Sequence, residues 1–446
     1  MDKIWTGMTP EEKREKRIEQ WLAAEGVKFN SPAAARQYRE RTTRLRDAIL
    51  LKEPDRVPVN LPVGNFPAYY AGKNLRTIMY DYAELQRVWT RFLHDFSDDM
   101  DSFNGPNLTY PGKALEIMNY RLYKWPGRGL GDNVSSYQFV EGEYMKPGEY
   151  ALMIKDPGDF MLRTILPRQF GALEALARYI PLTSVYGRPL NSIMPFAQPG
   201  IRAAFQAYID AGKEWEEWQK YVFGFTRAAL AEGFGFFRGT MATAPFDIIG
   251  DSLRGTQGVI LDMYRQPEVL LEALNVITPL LIEHTIAAAN AMNGFMVTFP
   301  LHKGDDVFMS DQQFEKFYWP TLKQFILALR EEGIMSFLFA EGKYLRRLEA
   351  IADLPASWTV WQFDQTDMAR AKRVAGKTAC LLGNVPTSLM CTGTAQAVEE
   401  YCRRLIEDCA PGGGYILTGG AQATEATPEN FRAMMKAAQK YGVYKK

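Results

Sequence analysis

The sequence predicts an α/β protein built as a single (β/α)8 barrel, the TIM-barrel fold. The first observation is that short, largely apolar runs recur along the chain, each ending in a small or polar cluster and followed by a helical pattern. Such runs are typical of strands buried on both faces, and the helices between them make the strands parallel. The second observation is their number, because eight parallel strands are what this barrel requires.

The eight predicted strands lie near residues 57, 100, 238, 295, 335, 359, 379 and 415. The clearest four follow one another at 334–339, 358–363, 378–382 and 414–418. Ligands of such folds bind at the carboxyl ends of the strands. The polar residues that follow each strand are therefore the first candidates for chemistry.

Two regions lie outside this repeat. Residues 1–45 are charged, carry helix starts at Thr9-Pro10 and Ser31-Pro32, and predict an N-terminal helical extension, while 46–446 form the barrel domain. The extension either lies on the barrel or forms a subunit contact, so an oligomer is possible and the sequence does not decide the oligomeric state. Residues 107–200 predict a large insertion after the second strand, lying over the strand ends, with a hairpin formed by 141–145 and 150–154.

Composition excludes several classes of function. Lysine and arginine number 52, as do aspartate and glutamate, so no charge excess favours nucleic acid or an anionic membrane surface. The four cysteines form no CxxC pair, which argues against a zinc finger or a disulfide framework. No signal peptide or membrane-spanning stretch is evident, and the expected location is cytoplasmic.

Three residues after predicted strands are candidates for catalysis. Glu341 follows a buried strand where packing gives no reason for a charge, and His302 and Asp364 follow two other strands. Each could serve as a general acid, and together they could bind zinc with one open coordination position. The structural alternatives are an ion pair of Glu341 with Arg346 or Lys343, a hydrogen-bonded loop role for His302 and a helix cap for Asp364.

Further residues are candidates for binding a substrate. Asn384 and Gln422 follow the seventh and eighth strands and could hydrogen-bond a donor molecule, although Asn384 could instead form a turn before Pro386. Tyr69 and Trp361 could belong to the wall of an aromatic-lined pocket. Their alternative role is packing in the core.

Several segments resemble the uroporphyrinogen decarboxylase superfamily. They occur in the family's order and are Glu53–Pro58, Met241–Phe246, Met263–Glu268, Met309–Phe314, Gly412–Leu417 and Thr427–Asn430. The resemblance covers about residue 46 to the end and implies a (β/α)8 barrel with its site at the carboxyl-terminal mouth. The superfamily contains decarboxylases and cobalamin-dependent methyltransferases, so the fold alone does not choose between them.

Departures from the family pattern make that choice. The decarboxylase carries an arginine-rich segment after its first strand, but residues 60–70 contain no cation, and Asn104 replaces its key aspartate. Asn104 is therefore expected to contact a less acidic substrate. The zinc ligands of the thiol methyltransferases are also missing, since Phe339, Glu341 and Ala421 occupy their places.

The resemblance then implies a methyltransferase of the corrinoid-dependent demethylation type. Such an enzyme takes a methyl group from a small methoxylated compound, here expected to be aromatic, and passes it to cobalt(I). No Asp-x-His-x-x-Gly motif occurs in the chain, so cobalamin is expected on a separate corrinoid protein. The alternatives are a cofactor-free decarboxylase or lyase acting on another substrate, and a non-catalytic barrel that binds an aromatic ligand.

Overall fold

Eight parallel strands form the framework of the protein in a computed structural model that describes residues 5–97 and 100–445. The strands are β1 (Asn60–Leu61), β2 (Ser102–Phe103), β3 (Gly239–Met241), β4 (Met296–Leu301), β5 (Met335–Ala340), β6 (Thr359–Phe363), β7 (Ala379–Leu382) and β8 (Tyr415–Ile416). Each lies within a few residues of a predicted strand. The α/β fold class is thereby confirmed.

The strands form one six-stranded sheet and one pair. The sheet runs in the order β8-β7-β6-β5-β4-β3, and β1 pairs with β2. A parallel bridge between Val59 and Leu417 joins β1 to β8, and the Asn60 N–H donates to the Leu417 carbonyl at 3.0 Å. The eight strands therefore form a continuous parallel series from β2 through β1 and β8 to β3.

Helices alternate with these strands and pack on one face of them. The α-helices before β3 are Pro10–Ala23, Pro32–Ile49, Phe66–Tyr70, Leu75–Tyr80, Tyr82–Phe96, Gly112–Ile117, Tyr150–Lys155, Pro157–Phe160, Leu166–Gln169 and Pro199–Ala231. Those after it are Pro245–Asp247, Gly255–Arg265, Pro267–Ala291, Asp311–Gln313, Trp319–Glu331, Leu348–Ala352, Met368–Ala375, Thr387–Thr392, Ala395–Cys409 and Pro428–Tyr441.

Strand residues alternate between two environments. Val297, Phe299 and Leu338 are fully buried in the main core with the helices. Their neighbours one position on, Thr298 and Phe339, are only half-buried although they lie in the middle of the sheet. Because side chains of a strand alternate in direction, the second set lies on the inner face of the sheet, which solvent reaches.

The N-terminal extension lies against the amino-terminal end of the strands. Both predicted helices are present, with Thr9 forming a capping box with Glu12 and Ser31 capping the second helix. Trp21 is 1% exposed and its ring lies 4.7 Å from that of Phe295, next to β4. The extension therefore closes one end of the sheet, while residues 1–4 of the predicted domain lie outside the described residues.

The chain between β2 and β3 forms a second lobe with its own small core, which includes Leu173, Leu176 and Ile201. The predicted hairpin of 141–145 and 150–154 is wrong, because residues Tyr150–Lys155 form a helix. A run of six residues carries too little periodicity to distinguish strand from helix. The short strands of this region are instead Tyr123–Pro126, Gly129–Leu130 and Gln138–Phe139.

Among the described residues, the helix Pro267–Ala291 is long and apolar enough to cross a membrane by length and composition, with a mean hydropathy of 1.4. One third of that apolar window is buried within the protein. Leu270 and Leu274 on this helix are fully buried and belong to the main core.

The packing of Trp21 yields a stability prediction. Replacing Trp21 with alanine removes a buried indole that contacts Phe237 and Phe295, so Trp21→Ala is expected to lower the free energy of unfolding by about 3–5 kcal/mol. Chemical denaturation measures the change, and Glu19→Ala, an exposed position on the same helix, serves as the control. Equal stabilities of the two variants would show that the extension does not close the sheet.

Candidate active site

The three predicted catalytic residues lie at the carboxyl ends of adjacent strands. Leu301 pairs with Ala340, and Ala340 pairs with Phe363, in the registers of β4, β5 and β6. The next residues on these strands are His302, Glu341 and Asp364. They share the inner face with Thr298 and Phe339, because each lies an even number of positions further along its strand.

The same row continues across the neighbouring strands. Val385 bridges Gly419 and Val59 bridges Leu417, which places Asn384 beside Thr418 and Thr418 beside Asn60. Asn60 in turn pairs with Ser102 on β2. The complete row is Ser102, Asn60, Thr418, Asn384, Asp364, Glu341 and His302, which we call the polar row. One half of it is uncharged and the other half carries the titratable groups.

His302 lies between two carboxylates. Its Nδ1 is 2.6 Å from an Asp251 oxygen, and its Nε2 is 3.8 Å from a Glu341 oxygen. Burial alone would lower its pKa, but the Asp251 hydrogen bond and the charges of Asp247, Asp251 and Glu341 outweigh it and raise the pKa to about 9. The side chain is 38% exposed, so an imidazolium at neutral pH faces the open inner side of the sheet.

Asp247 holds the backbone of the loop that carries His302. Its two carboxylate oxygens accept the backbone N–H groups of His302 at 3.1 Å and Lys303 at 3.0 Å. The Tyr318 hydroxyl donates to it at 2.9 Å. Asp247 is fully buried, and burial followed by the nearby Asp251 charge raises its pKa to about 7. This carboxyl group fixes the backbone that carries the imidazole.

Asp251 lies on a π-helical turn, Ile248–Leu253, directly after the short helix that carries Asp247. Such turns displace a side chain by one position and are frequent at functional sites. Lys303 approaches the other oxygen of Asp251 at 3.2 Å and bonds the Thr256 hydroxyl at 2.8 Å. Asp251 is thereby held in place to orient the imidazole.

Asp364 and Asn384 bind backbone groups of neighbouring loops. The Asp364 carboxylate accepts the Gly342 N–H at 3.2 Å, so it secures the loop that carries Glu341. The Asn384 amide donates to the carbonyls of Thr366 at 2.7 Å and Asp364 at 3.1 Å. Val385 continues the parallel pairing with Gly419, so the expected turn before Pro386 does not form, and the Asn384 amide lies within the polar row.

The predicted metal ligands do not converge into a ligand set. Within residues 5–97 and 100–445, no group of three or more histidine, cysteine, aspartate or glutamate side chains is arranged to hold a metal ion. His302 directs Nδ1 to Asp251, and Asp364 bonds the Gly342 backbone instead of facing His302. These donors therefore do not fit the zinc site that the sequence suggested.

The other predicted binding residues lie around the mouth. The Gln422 side-chain oxygen accepts the Gly64 N–H at 2.8 Å, which joins the loops after β8 and β1. The Tyr69 hydroxyl donates to the Val134 carbonyl at 2.7 Å, holding the insertion against the loop after β1. Asn104 is half-buried and lies two positions beyond Ser102 on the same face of β2.

Trp361 is not brought to the mouth. It lies on the outer face of β6, is 1% exposed, and its ring contacts Tyr344 and Phe363 in the main core. Strand alternation explains this position, because Trp361 is three residues from Asp364 and the two side chains therefore leave opposite faces. Its alternative role, packing in the core, is the one that the structure shows.

Sequence reasoning missed Asp247 and Asp251 as functional residues. Both lie after the third predicted strand, but the run Pro245–Asp247 reads as an ordinary helix start. The signal that could have found them is their spacing, since residues four apart lie on one face of a helix. Nothing in the sequence indicated that this face meets His302.

The arrangement can donate a proton. An imidazolium whose charge is supported by two carboxylates, and whose Nε2 lies on the solvent-accessible side, is a general acid at neutral pH. The Glu341 carboxylate, 56% exposed and 3.8 Å from His302 Nε2, can stabilise the protonated ring.

Comparisons with known proteins agree with this fold. Residues 231–441 match the model of the uroporphyrinogen decarboxylase (URO-D) family. The structure is similar to that of a methyltransferase from Methanosarcina mazei, with a TM-score of 0.55 and 14% sequence identity, over 90% of this chain and 98% of the other. No curated protein matches the chain. The structural likeness shows a shared fold, and the family match confirms the superfamily resemblance of the sequence motifs.

The ion pair of His302 with Asp251 predicts a pH dependence. Because the folded pKa of about 9 lies above the ordinary value of 6.5, this pair stabilises the fold fully below about pH 6.5 and loses that effect as the pH rises through 9. Asp251→Asn should lower the His302 pKa. Proton NMR of the three histidines measures it, with Asp353→Asn, an exposed carboxylate, as control. An unchanged titration would contradict the pairing.

The buried Asp247 predicts a second effect on stability. Asparagine at this position would set an amide donor against a backbone N–H, and an unsatisfied buried donor costs about 1–3 kcal/mol. Asp247→Asn is therefore expected to lower the free energy of unfolding by that amount at pH 8. Urea denaturation beside Asp353→Asn tests this, and an unchanged midpoint would show that Asp247 does not hold the loop.

Proposed function

We propose that this chain, which residues 231–441 place in the uroporphyrinogen decarboxylase superfamily, is a methyltransferase that demethylates a small methoxylated, aromatic compound. The acceptor is cobalt(I) of a corrinoid carried by a separate protein. The observation that carries the proposal is the geometry of His302 at the carboxyl ends of the strands, where its Nδ1 lies 2.6 Å from an Asp251 oxygen and its 38% exposed ring faces the open inner side. This is the group that the leaving oxygen of such a reaction requires.

We further propose that the eight strands close into a (β/α)8 barrel. Among the described residues, β2 and β3 are the two end strands of the series and do not pair with each other through backbone hydrogen bonds. Between them, the ring of Phe103 is 5.2 Å from that of Phe236 and 5.9 Å from that of Phe234. Side-chain packing thus bridges the two end strands. Closure would turn the inner face into the wall of a cavity that opens at the polar row.

The proposed methyl transfer requires a proton donor at the ether oxygen of the substrate. In such a transfer the carbon–oxygen bond of the ether would break with its electrons remaining on oxygen, while the reduced corrinoid of the partner protein would supply the electron pair for the new bond to the methyl carbon. An aryl ether oxygen leaves poorly as an anion, so a proton delivered during this step lowers the barrier. The products are the methylated corrinoid and a phenol, and the proton comes from His302 Nε2.

Each neighbouring group has a defined task in this scheme. Asp251 accepts a hydrogen bond from the Nδ1–H group and keeps the ring oriented with Nε2 toward the methyl donor. Asp247 fixes the loop backbone, and Glu341 stabilises the imidazolium. After the phenol leaves, His302 regains a proton from solvent, to which its side chain is exposed.

The superfamily also contains decarboxylases, and the uncharged half of the inner face argues against a substrate whose acidic group binds there. Among the described residues, the inner positions of β1, β2 and β6–β8 contain no lysine or arginine. A carboxylate bound there would be buried without a counter-charge, which is costly. Decarboxylation of an acidic substrate is therefore an outcome that the test must distinguish.

The proposal predicts the effect of removing the acid. His302→Gln is expected to lower the rate of methyl transfer from a methoxyarene by about 10²–10⁴-fold, the usual contribution of a general acid. The assay combines the protein with a reduced corrinoid protein and a panel of methoxyarenes and follows the methylated corrinoid by absorbance. His284→Gln, an exposed helical histidine, is the matched control.

Other results would contradict the proposal. Carbon dioxide release from carboxylated arenes without methylated corrinoid would identify a decarboxylase. Full methyl transfer by His302→Gln would show that another group protonates the leaving oxygen.

A further inference from the structure

The uncharged half of the polar row forms a buried polar wall on the inner face of the sheet, which the proton-donor chemistry does not use. Its members are Ser102, Asn60, Thr418 and Asn384, with Gln362 two positions before Asp364 on the same face. None is more than 7% exposed. A cluster of buried amides and hydroxyls on the inner face of a sheet requires hydrogen-bond partners.

Those partners are incomplete within the protein. The Thr418 hydroxyl is fully buried and has no hydrogen-bond partner. Across residues 5–97 and 100–445, the side chains of Asn60 and Ser102 make no hydrogen bond to another residue. A buried hydroxyl left unsatisfied costs about 1–3 kcal/mol. Adjacent strands thus present three polar groups with free capacity.

The remaining two side-chain amides use their hydrogen-bond donors but not their acceptors. Gln362 donates its Nε2 to the Gly419 carbonyl at 3.1 Å, and Asn384 donates its Nδ2 to the Thr366 carbonyl at 2.7 Å. Their amide oxygens accept no hydrogen bond from the described part of the chain. The wall therefore offers acceptors as well as the hydroxyl donors of Thr418 and Ser102.

The opposite part of the inner face is apolar. Pro300, Phe337 and Phe339 on β4 and β5 are half-buried on the solvent-accessible side. A flat ring can pack on these groups while a polar substituent reaches the amides and hydroxyls. His302 and Glu341 lie two positions beyond this apolar surface on the same strands.

We infer that the uncharged wall is the subsite for a neutral hydroxyl group on the ring of the methyl donor, so that the substrate class is the uncharged methoxyphenols. This inference rests on the proposed function. A phenolic hydroxyl both donates and accepts a hydrogen bond, as the wall requires, whereas a ring carboxylate would meet no cation there. A methoxyarene without the hydroxyl would leave the buried Thr418 hydroxyl unsatisfied.

Binding measured without the corrinoid protein tests the subsite apart from catalysis. Calorimetric titrations would use methoxyphenols, methoxybenzene and 3-methoxybenzoate as probes. The wild-type protein is expected to bind the best methoxyphenol about tenfold or more tightly than methoxybenzene, since one satisfied buried polar group contributes about that factor. Methoxybenzoate is expected to bind most weakly.

Two near-isosteric variants identify the residues involved. Thr418→Val and Asn60→Leu should each weaken methoxyphenol binding about five- to tenfold and leave methoxybenzene binding unchanged. Thr418→Ser should retain the preference, and Thr392→Val, an exposed threonine on a surface helix, is the control. The comparison of two ligands in one variant separates loss of the subsite from loss of folding.

The inference is overturned if methoxybenzoate binds as tightly as methoxyphenol, or if Thr418→Val weakens both neutral ligands equally. If methoxyphenols bind with the expected preference but no methyl transfer follows when reduced corrinoid protein is added, the subsite stands and the proposed function fails. If transfer occurs from every methoxyarene at similar efficiency and affinity, the function stands and the subsite fails.

Discussion

Parallel strand pairing is the constraint on which the site depends. Once the register of β4, β5 and β6 is fixed, His302, Glu341 and Asp364 must emerge side by side, because residues at equal steps beyond paired positions remain neighbours. A slip of one residue would move a side chain from the inner face to the helix-covered face. The helices hold this register by burying the outer residues of each strand in the main core.

The buried carboxyl group of Asp247 positions the charged side chain of His302 within this row of neighbouring residues. Its carboxyl group binds two successive backbone N–H groups of the loop after β4, which fixes the direction in which His302 leaves the strand. Asp251, one helical turn further on, then meets the imidazole. The same short segment thus supplies both the support of the loop and the carboxylate that keeps the ring protonated.

Much of the framework was predictable because it rests on local patterns. Apolar runs such as 334–339 and 358–363 have the length and flanking polar residues of buried strands, and the cap residues Thr9 and Ser31 mark helix starts through their own hydrogen bonds. The positions of His302 and Glu341 followed from the same reasoning. The helix Tyr150–Lys155 did not, because its six residues carry no clear period.

The partners of these residues depend on contacts between distant parts of the chain. Asp251 is 51 positions from His302, and no spacing rule predicts that a π-helical turn brings them within hydrogen-bond distance. Trp361 shows the opposite case, since strand alternation from Asp364 would have placed it in the core. The unsatisfied Thr418 hydroxyl became visible only with its surroundings.

The central claim is that His302 protonates the leaving oxygen, and the most direct test varies the leaving group. Rates of methyl transfer to the reduced corrinoid protein would be measured for methoxyarenes whose phenols span a range of acidity, with wild-type protein and His302→Gln. Phenols of high acidity leave without protonation, so the account predicts a large loss for weakly acidic leaving groups that shrinks as their acidity rises. A loss of the same factor for every donor would contradict the account.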